Sequence, residues 1–290
     1  MPSVPVILPD PPAPPEPLGL IAAGGRLPII VARGMASHGH PVHALGFRGL
    51  FPDELPALCA QFREVGALRI GSWGRMLRRM GVRYAVMVGR VDKSLLNDWR
   101  IVLRNSPDLR AVWMYLRTRR DRRSHAILGA IARELERDGV MLIDSTAHIG
   151  DQMAQFGVMT ARRPSPGQMA DIDLGWPLLQ EMLRLDIGQA IAVRERDVVA
   201  VEALEGTDRM IERAGQLTRA NAWSLLKGAR AGHDRRSDVP TVGPDTITNL
   251  HRAGGRCLAI AAGDVIMVDR HDTLALADRL GVAVIGVSPV

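Results

Sequence analysis

The sequence predicts a soluble protein of two α/β domains joined by a linker, the first Rossmann-like with a mainly parallel sheet and the second built on a mixed sheet. Three observations lead there. Short apolar runs alternate with helical periodicity from Leu18 onward, as in βαβ units. At 290 residues, 47% apolar and 23% charged, the chain has material for two ordinary cores. Between Gly150 and Gly167 the apolar periodicity lapses and glycine, proline and arginine gather, as they do where domains join.

Residues 1–17 hold eight prolines and no basic stretch followed by an apolar core, so they read as a disordered, extended tail and not as a secretory signal. A first, nucleotide-binding domain is expected over 18–149. LGLIAAGGRLPIIVARGMASHGHPVHAL reads as strand, glycine turn, helix and a second strand from near Pro41. Gly24 and Gly25 would let the backbone approach a phosphate or ribose, and Arg26 would add a charge-assisted donor. The same pair also suits simple turn chemistry. The G-x-G-x-x-G spacing is not met and no acidic residue closes the second strand, which argues against NAD.

An amphipathic helix around Arg75 to Met80 precedes a strand from Tyr84 to Val88, ending at Gly89-Arg90. Open α/β sheets bind ligands at such carboxyl ends. A helix from Ser124 to Arg137 and a strand from Val140 to Thr146 complete the domain, and 150–167 is the expected linker. The second domain, 168–290, opens with a helix from Met169 to Leu185. Two strands follow, joined by a hairpin turn at Arg194 to Asp197. Thr207 is the expected N-cap of the next helix, with Asp208 set against its dipole. The apolar runs CLAIAAG and AVIGVSP flank a last helix.

The net charge of +6 favours an anionic partner, whether nucleic acid, a phospholipid surface or a phosphorylated metabolite. An aromatic share of 4% argues against a stacking platform for single-stranded nucleic acid. No window approaches the roughly 20 apolar residues that cross a bilayer. Cys59 and Cys257 fit no paired motif and read as buried small hydrophobes in a reducing cytosol. Arg117, Arg119, Arg120, Arg122 and Arg123, broken by Asp121, form either a solvated face or a foothold on anionic headgroups.

The densest chemistry lies between Val201 and Gly243. Only two lysines occur, Lys93 and Lys227, and Lys227 sits in sequence among Glu202, Glu205, Asp208, Asp234 and Asp238. Phosphorus chemistry needs a cation against developing charge and a carboxylate to position metal or water, and this stretch supplies both. The bland readings are a turn and cap at Glu205 to Asp208 and a polar loop around Asp234 to Asp238. Asp238 lies just ahead of Val239-Pro240, where proline holds the chain extended. His38, His40 and His43 read as surface residues rather than metal ligands. Asp171 and Asp173 are helix-start acids or functional ones.

In order along the chain, GLIAAGGRLP, VMVGRV, QMADID, RLDIGQAIAV, VEALEGTDRMIERAG, SDVPTVGPDTI and AVIGV resemble the LpxI family of UDP-2,3-diacylglucosamine pyrophosphatases, enzymes of lipid A synthesis. The resemblance implies a cytoplasmic enzyme peripherally associated with the inner membrane. It implies two α/β domains closing over a UDP-linked, diacylated glucosamine, and a magnesium requirement. Water would attack the α-phosphorus, releasing UMP and 2,3-diacylglucosamine 1-phosphate.

Carried over by position, the family's essential aspartate falls on Asp238, positioning either metal or water; the metal ligands stay unassigned. Nucleotide contacts fall on Gly25, Arg26, Val88 and Gly89. Gly188, Gln189, Glu202, Thr207 and Asp208 would line the substrate site, and Lys227 would answer a phosphate charge. The family's commoner lysine-proline and glutamine are replaced by Arg230-Ala231 and His233, which keeps the charge but changes the phosphate geometry, and its small glycine-rich loop by Gly71-Ser72-Trp73-Gly74, where Trp73 would alter a nucleotide or acyl-chain pocket. Anionic membrane contact and a homo-oligomer go with this reading, nucleic acid does not. From another class, the alternative is a non-catalytic basic module that binds RNA or an anionic lipid surface.

Overall fold

The computed structural model describes residues 8–90, 107–118, 124–230, 232–236 and 239–288. It divides into two compact units. The first comprises Met1–Gly150 with Asp234–Asp238, the second Asp151–His233 with Val239–Val290.

In the first unit, β1 (Leu18–Ala22), β2 (Val42–Phe47), β3 (Gln61–Val65), β4 (Tyr84–Val88) and β5 (Met141–Leu142) form a parallel sheet in the order β3-β2-β1-β4-β5. The helices are α1 (Leu27–Ser37), α2 (Ile70–Arg79), α3 (Leu109–Thr118) and α4 (Ser124–Arg137). Every residue of β1 and β2 is buried, as in a parallel sheet covered on both faces; β1 reads as an unbroken apolar run, whereas β2 carries His43. The strand order β3-β2-β1-β4-β5 is that of a doubly wound sheet, as a Rossmann-like reading requires. The expected strand to Thr146 stops after Leu142, because Asp144, Ser145 and Thr146 engage side-chain partners instead of a ladder.

Several side chains here differ from expectation. His40 and His43 are buried rather than on the surface, and each Nδ1 donates to a carbonyl, that of Glu16 at 2.8 Å and that of Met80 at 2.7 Å. The Glu16 contact ties the end of the proline-rich tail to the unit; residues 1–7 of that tail lie outside the described residues. Trp73 is buried, packs against Phe47 at 4.9 Å and donates from Nε1 to the Gly66 carbonyl at 3.0 Å. Arg119, Arg120, Arg122 and Arg123 fall outside the described residues.

In the second unit the main sheet runs β6-β13-β11-β9-β7-β8. Its strands are β6 (Gly157–Val158), β7 (Ala190–Arg194), β8 (Asp197–Val201), β9 (Trp223–Lys227), β11 (Gly255–Ala261) and β13 (Ala283–Val287). β9, β11 and β13 are parallel, and β6, β7 and β8 join antiparallel, so the sheet is mixed. A second, two-stranded sheet pairs β10 (Thr241–Val242) with β12 (Ile266–Met267). The helices are α5 (Pro166–Arg184), α6 (Thr207–Thr218), α7 (Pro244–Arg252) and α8 (Arg270–Leu280). The β7–β8 turn has positive φ at both Glu195 and Arg196, the twist a two-residue hairpin demands.

The stretch expected as a linker carries elements of the second unit: β6 pairs with β13, and Ser165 caps α5 in a capping box with Gln168. That cap starts the helix three residues before Met169. Asp171 is therefore not a first-turn acid. It is buried and accepts the Arg196 amide at 2.8 Å and the Ser224 hydroxyl at 3.3 Å. Cys257 is buried with its thiol pushed up to about 12, and the half-buried Cys59 is pushed up to about 11, both by desolvation, so neither is a ready thiolate.

His148, 7% exposed, stands edge-on to His38 and His40, with centroids 5.3 and 5.1 Å away. Burial first, then the two neighbouring rings, lower its pKa to about 4 from an ordinary 6.5. The unfolded chain therefore takes this proton first. Stability should fall as pH drops from about 6.5 to about 4 and level off below, by on the order of 3 kcal/mol from this group. Melting curves of the parent and His148→Asn across that range should converge toward acid; parallel curves would contradict the assignment.

Candidate active site

In the first unit the strand order reverses between β1 and β4, which are neighbours although β2 and β3 intervene in sequence. At such a switch point two adjacent strand ends lead away in opposite directions and leave a crevice. Gly24 and Arg90 bridge the two ends, exchanging backbone hydrogen bonds of 3.1 and 2.8 Å. Gly89 has φ +109°, and a Cβ there would lie 2.8 Å from the Ala23 carbonyl carbon, so only glycine allows the two loops to approach so closely. Gly25, at φ +91°, faces open space.

Arg26 starts α1 and contacts Glu54 at 3.4 Å on the surface. Val88 is buried, and its carbonyl accepts the Ala23 amide at 3.0 Å. Only its backbone is therefore left to touch a ligand. The structure thus brings Gly25, Arg26, Val88 and Gly89 to one sheet end.

The second unit gathers the other candidates by a different route. β9 and β8 each run antiparallel to β7, so their carboxyl ends meet the amino end of β7, with Ala190 opposite Lys227. Gly188 and Gln189 precede β7, Glu202 follows β8, and Lys227 ends β9. A Cβ on Gly188 would collide with the Glu202 carbonyl oxygen. The Glu202 amide donates to Ala190 and the Gly228 amide to Gln189, at 2.9 and 3.0 Å.

Across this sheet end runs a chain of polar side chains. Lys227 Nζ donates to Thr207 Oγ1 at 3.0 Å, and the Thr207 hydroxyl donates to Glu202 Oε1 at 3.0 Å. Lys227 and Glu202 are 6% and 8% exposed. Burial raises the Glu202 pKa, while Lys227, the Thr207 hydroxyl and the Gln189 amide pull it back. Glu202 Oε2 is buried and has no hydrogen-bond partner among the described residues.

Thr207 is not the N-cap. Gly206, at φ +83°, holds that position, which frees the Thr207 hydroxyl for the bridge. α6 begins there without a side-chain cap, so its first amides are open to an anion. Asp208 lies in its first turn and accepts from Asn249 Nδ2 at 3.2 Å. Glu205 is engaged by Arg213 at 2.6 Å and lies apart from the Lys227 chain. Among the described residues, Glu202 reaches Lys227 through Thr207.

Asp238 lies outside the described residues. The segment just ahead of it belongs to the first unit. Arg235 donates to Asp144 Oδ2 at 2.9 Å and to Thr146 Oγ1 at 2.7 Å. Its carbonyl accepts the Ser145 amide and hydroxyl at 2.9 and 2.8 Å. Arg236 grips Asp234 in a bidentate pair, the closest contact 2.6 Å. Sequence reasoning missed Asp144 and Thr146. The signal available was a carboxylate and two hydroxyls at the carboxyl end of an apolar run.

His233 donates from Nδ1 to the Arg230 carbonyl at 3.1 Å, which makes a compact turn after β9. Among the described residues no group of three or more His, Cys, Asp or Glu is placed to hold a metal ion.

Residues 17–152 match the LpxI N-terminal domain family and residues 155–285 the LpxI C-terminal domain family. The chain is similar to the UDP-2,3-diacylglucosamine pyrophosphatase LpxI of Caulobacter vibrioides, 31% identical over 279 residues, which cover 94% of this chain and 98% of that protein.

Because the group meeting a Gly188 Cβ is backbone and cannot swing aside, Gly188→Ala should destabilise the protein by roughly 1–3 kcal/mol. Thermal melting checks this. A variant that melts with the parent would refute the close packing of the β7 and β8 ends.

Proposed function

The chain belongs to the LpxI family, and from that premise we propose that it hydrolyses UDP-2,3-diacylglucosamine in lipid A synthesis, giving UMP and 2,3-diacylglucosamine 1-phosphate. The observation that carries this reading is the likeness along nearly the whole chain to a relative of that name. Supporting it is a buried lysine at a sheet end beside an uncapped helix start, an arrangement suited to a phosphate.

In this reading the crest around Gly25, Arg26 and Gly89 takes the nucleotide, where glycine lets backbone amides come close. Lys227 answers phosphate charge, held in place by Thr207 and Glu202. The water oxygen forms a bond to the α-phosphorus. The bond from that phosphorus to the bridging oxygen breaks, and the electron pair leaves with the sugar 1-phosphate. The water's proton passes to a base, and Asp238 is the residue we assign to orienting that water or a metal beside it.

Magnesium would neutralise the diphosphate when bound. Its requirement is part of the proposal. We likewise place the protein at the cytoplasmic face of the inner membrane, where a diacylated substrate resides.

Asp238→Ala should lower kcat by on the order of 100-fold to 10,000-fold while substrate binding changes only a few-fold. Turnover at the parent rate would overturn the assignment. Chelation of divalent metal should abolish turnover and added magnesium restore it; full activity in chelator would remove magnesium from the account.

A further inference from the structure

α3 has two unlike faces. Ala111 is buried and Met114 packs against the core of the first unit, whereas Leu109, Val112, Trp113 and Leu116 are 88%, 42%, 42% and 51% exposed. Their spacing of three, four and seven residues sets these four in one stripe along the helix. Single exposed apolar residues are ordinary on a protein surface, but four aligned on one helix mark an interaction face. Asp108 fixes the helix start, its Oδ1 accepting the Ala111 amide and its Oδ2 the Gly71 amide, both at 2.8 Å.

The stripe is bordered by cations. The Arg117 guanidinium carbon lies 3.5 Å from the centroid of the Trp113 ring, and that of Arg137 lies 5.7 Å away. Arg110 is held by Asp138 at 3.0 Å, and Arg137 pairs with Glu134. We propose that this face of α3 docks on an anionic phospholipid surface, its four apolar side chains at the boundary of headgroups and acyl chains and Arg117 level with the lipid phosphates.

Two arguments favour lipid over a protein occupant. A bilayer surface offers hydrocarbon and negative charge side by side, which is what an apolar stripe edged by arginine and carrying tryptophan matches. A second copy of this chain, meeting the same face, would set Arg117 against Arg117. The net charge of +6 adds attraction of the same sign. The inference rests on the proposed function in one respect: a diacylated substrate is presented at such a surface. Among the described residues no helix is long and apolar enough to cross a membrane.

The test is flotation of the full chain with vesicles of phosphatidylcholine, with and without phosphatidylglycerol, at low and high salt. The parent should bind the anionic vesicles and lose about tenfold in affinity on neutral vesicles or in high salt. Leu116→Glu, and separately Val112→Glu, should weaken binding by about tenfold or more, with an unchanged melting temperature and unchanged hydrolysis of a short-acyl, water-soluble UDP-sugar. Binding by both variants equal to the parent would overturn the proposal, as would equal affinity for neutral and anionic vesicles. So would a parent dimer that Leu116→Glu dissociates with no vesicle binding by either. Vesicle binding through α3 in a protein that leaves the UDP-sugar intact would sink the hydrolase reading and spare this one; hydrolysis without vesicle binding would do the reverse.

Discussion

A buried ammonium has to be answered, and the chain from Lys227 through Thr207 to Glu202 is the constraint on which the second unit's candidate site depends. Three separate elements must arrive together for it to form: the end of β9, the loop after β8 and the start of α6. The antiparallel placement of β7 between β8 and β9 brings the strand ends into register. Gly206 caps α6 through its backbone alone and so leaves the threonine hydroxyl for the bridge. Gly188 permits the β7 end to pass directly against the Glu202 backbone. A lysine so held is stripped of much of its water yet keeps a defined direction, which is what a group meant to meet a phosphate requires.

The first unit solves a different problem, that of bringing backbone amides near a ligand. Its solution is topological. The sheet reverses between β1 and β4, and Gly24, Gly25 and Gly89 thin out the main chain where the crevice opens. Beyond β5, Asp144, Ser145 and Thr146 hold Arg235 through both its backbone carbonyl and its side chain.

Much of this was legible in the chain. The apolar runs at β1 and β2 announced strands, and the turn around Arg194 to Asp197 announced a hairpin. The rarity of lysine singled out Lys227 before any geometry was known. What escaped was decided by tertiary contacts. Thr207 looked like a cap because local chemistry favours threonine there, but the glycine before it adopts the conformation that frees the hydroxyl. Asp171 looked like a helix-start acid because Ser165 and Gln168, which move the start upstream, form a box that competes weakly as a pattern. The histidines looked superficial because nothing local shows that carbonyls of Glu16 and Met80 await His40 and His43. Arg235 and Asp144 lie 91 positions apart, a separation at which no periodicity speaks.

Cleavage of UDP-2,3-diacylglucosamine by the parent protein in oxygen-18 water, followed by mass analysis of both products, bears on the central claim most directly. The account predicts a single labelled oxygen in UMP and none in the sugar 1-phosphate. Label in the sugar 1-phosphate, or no cleavage at all, would contradict it.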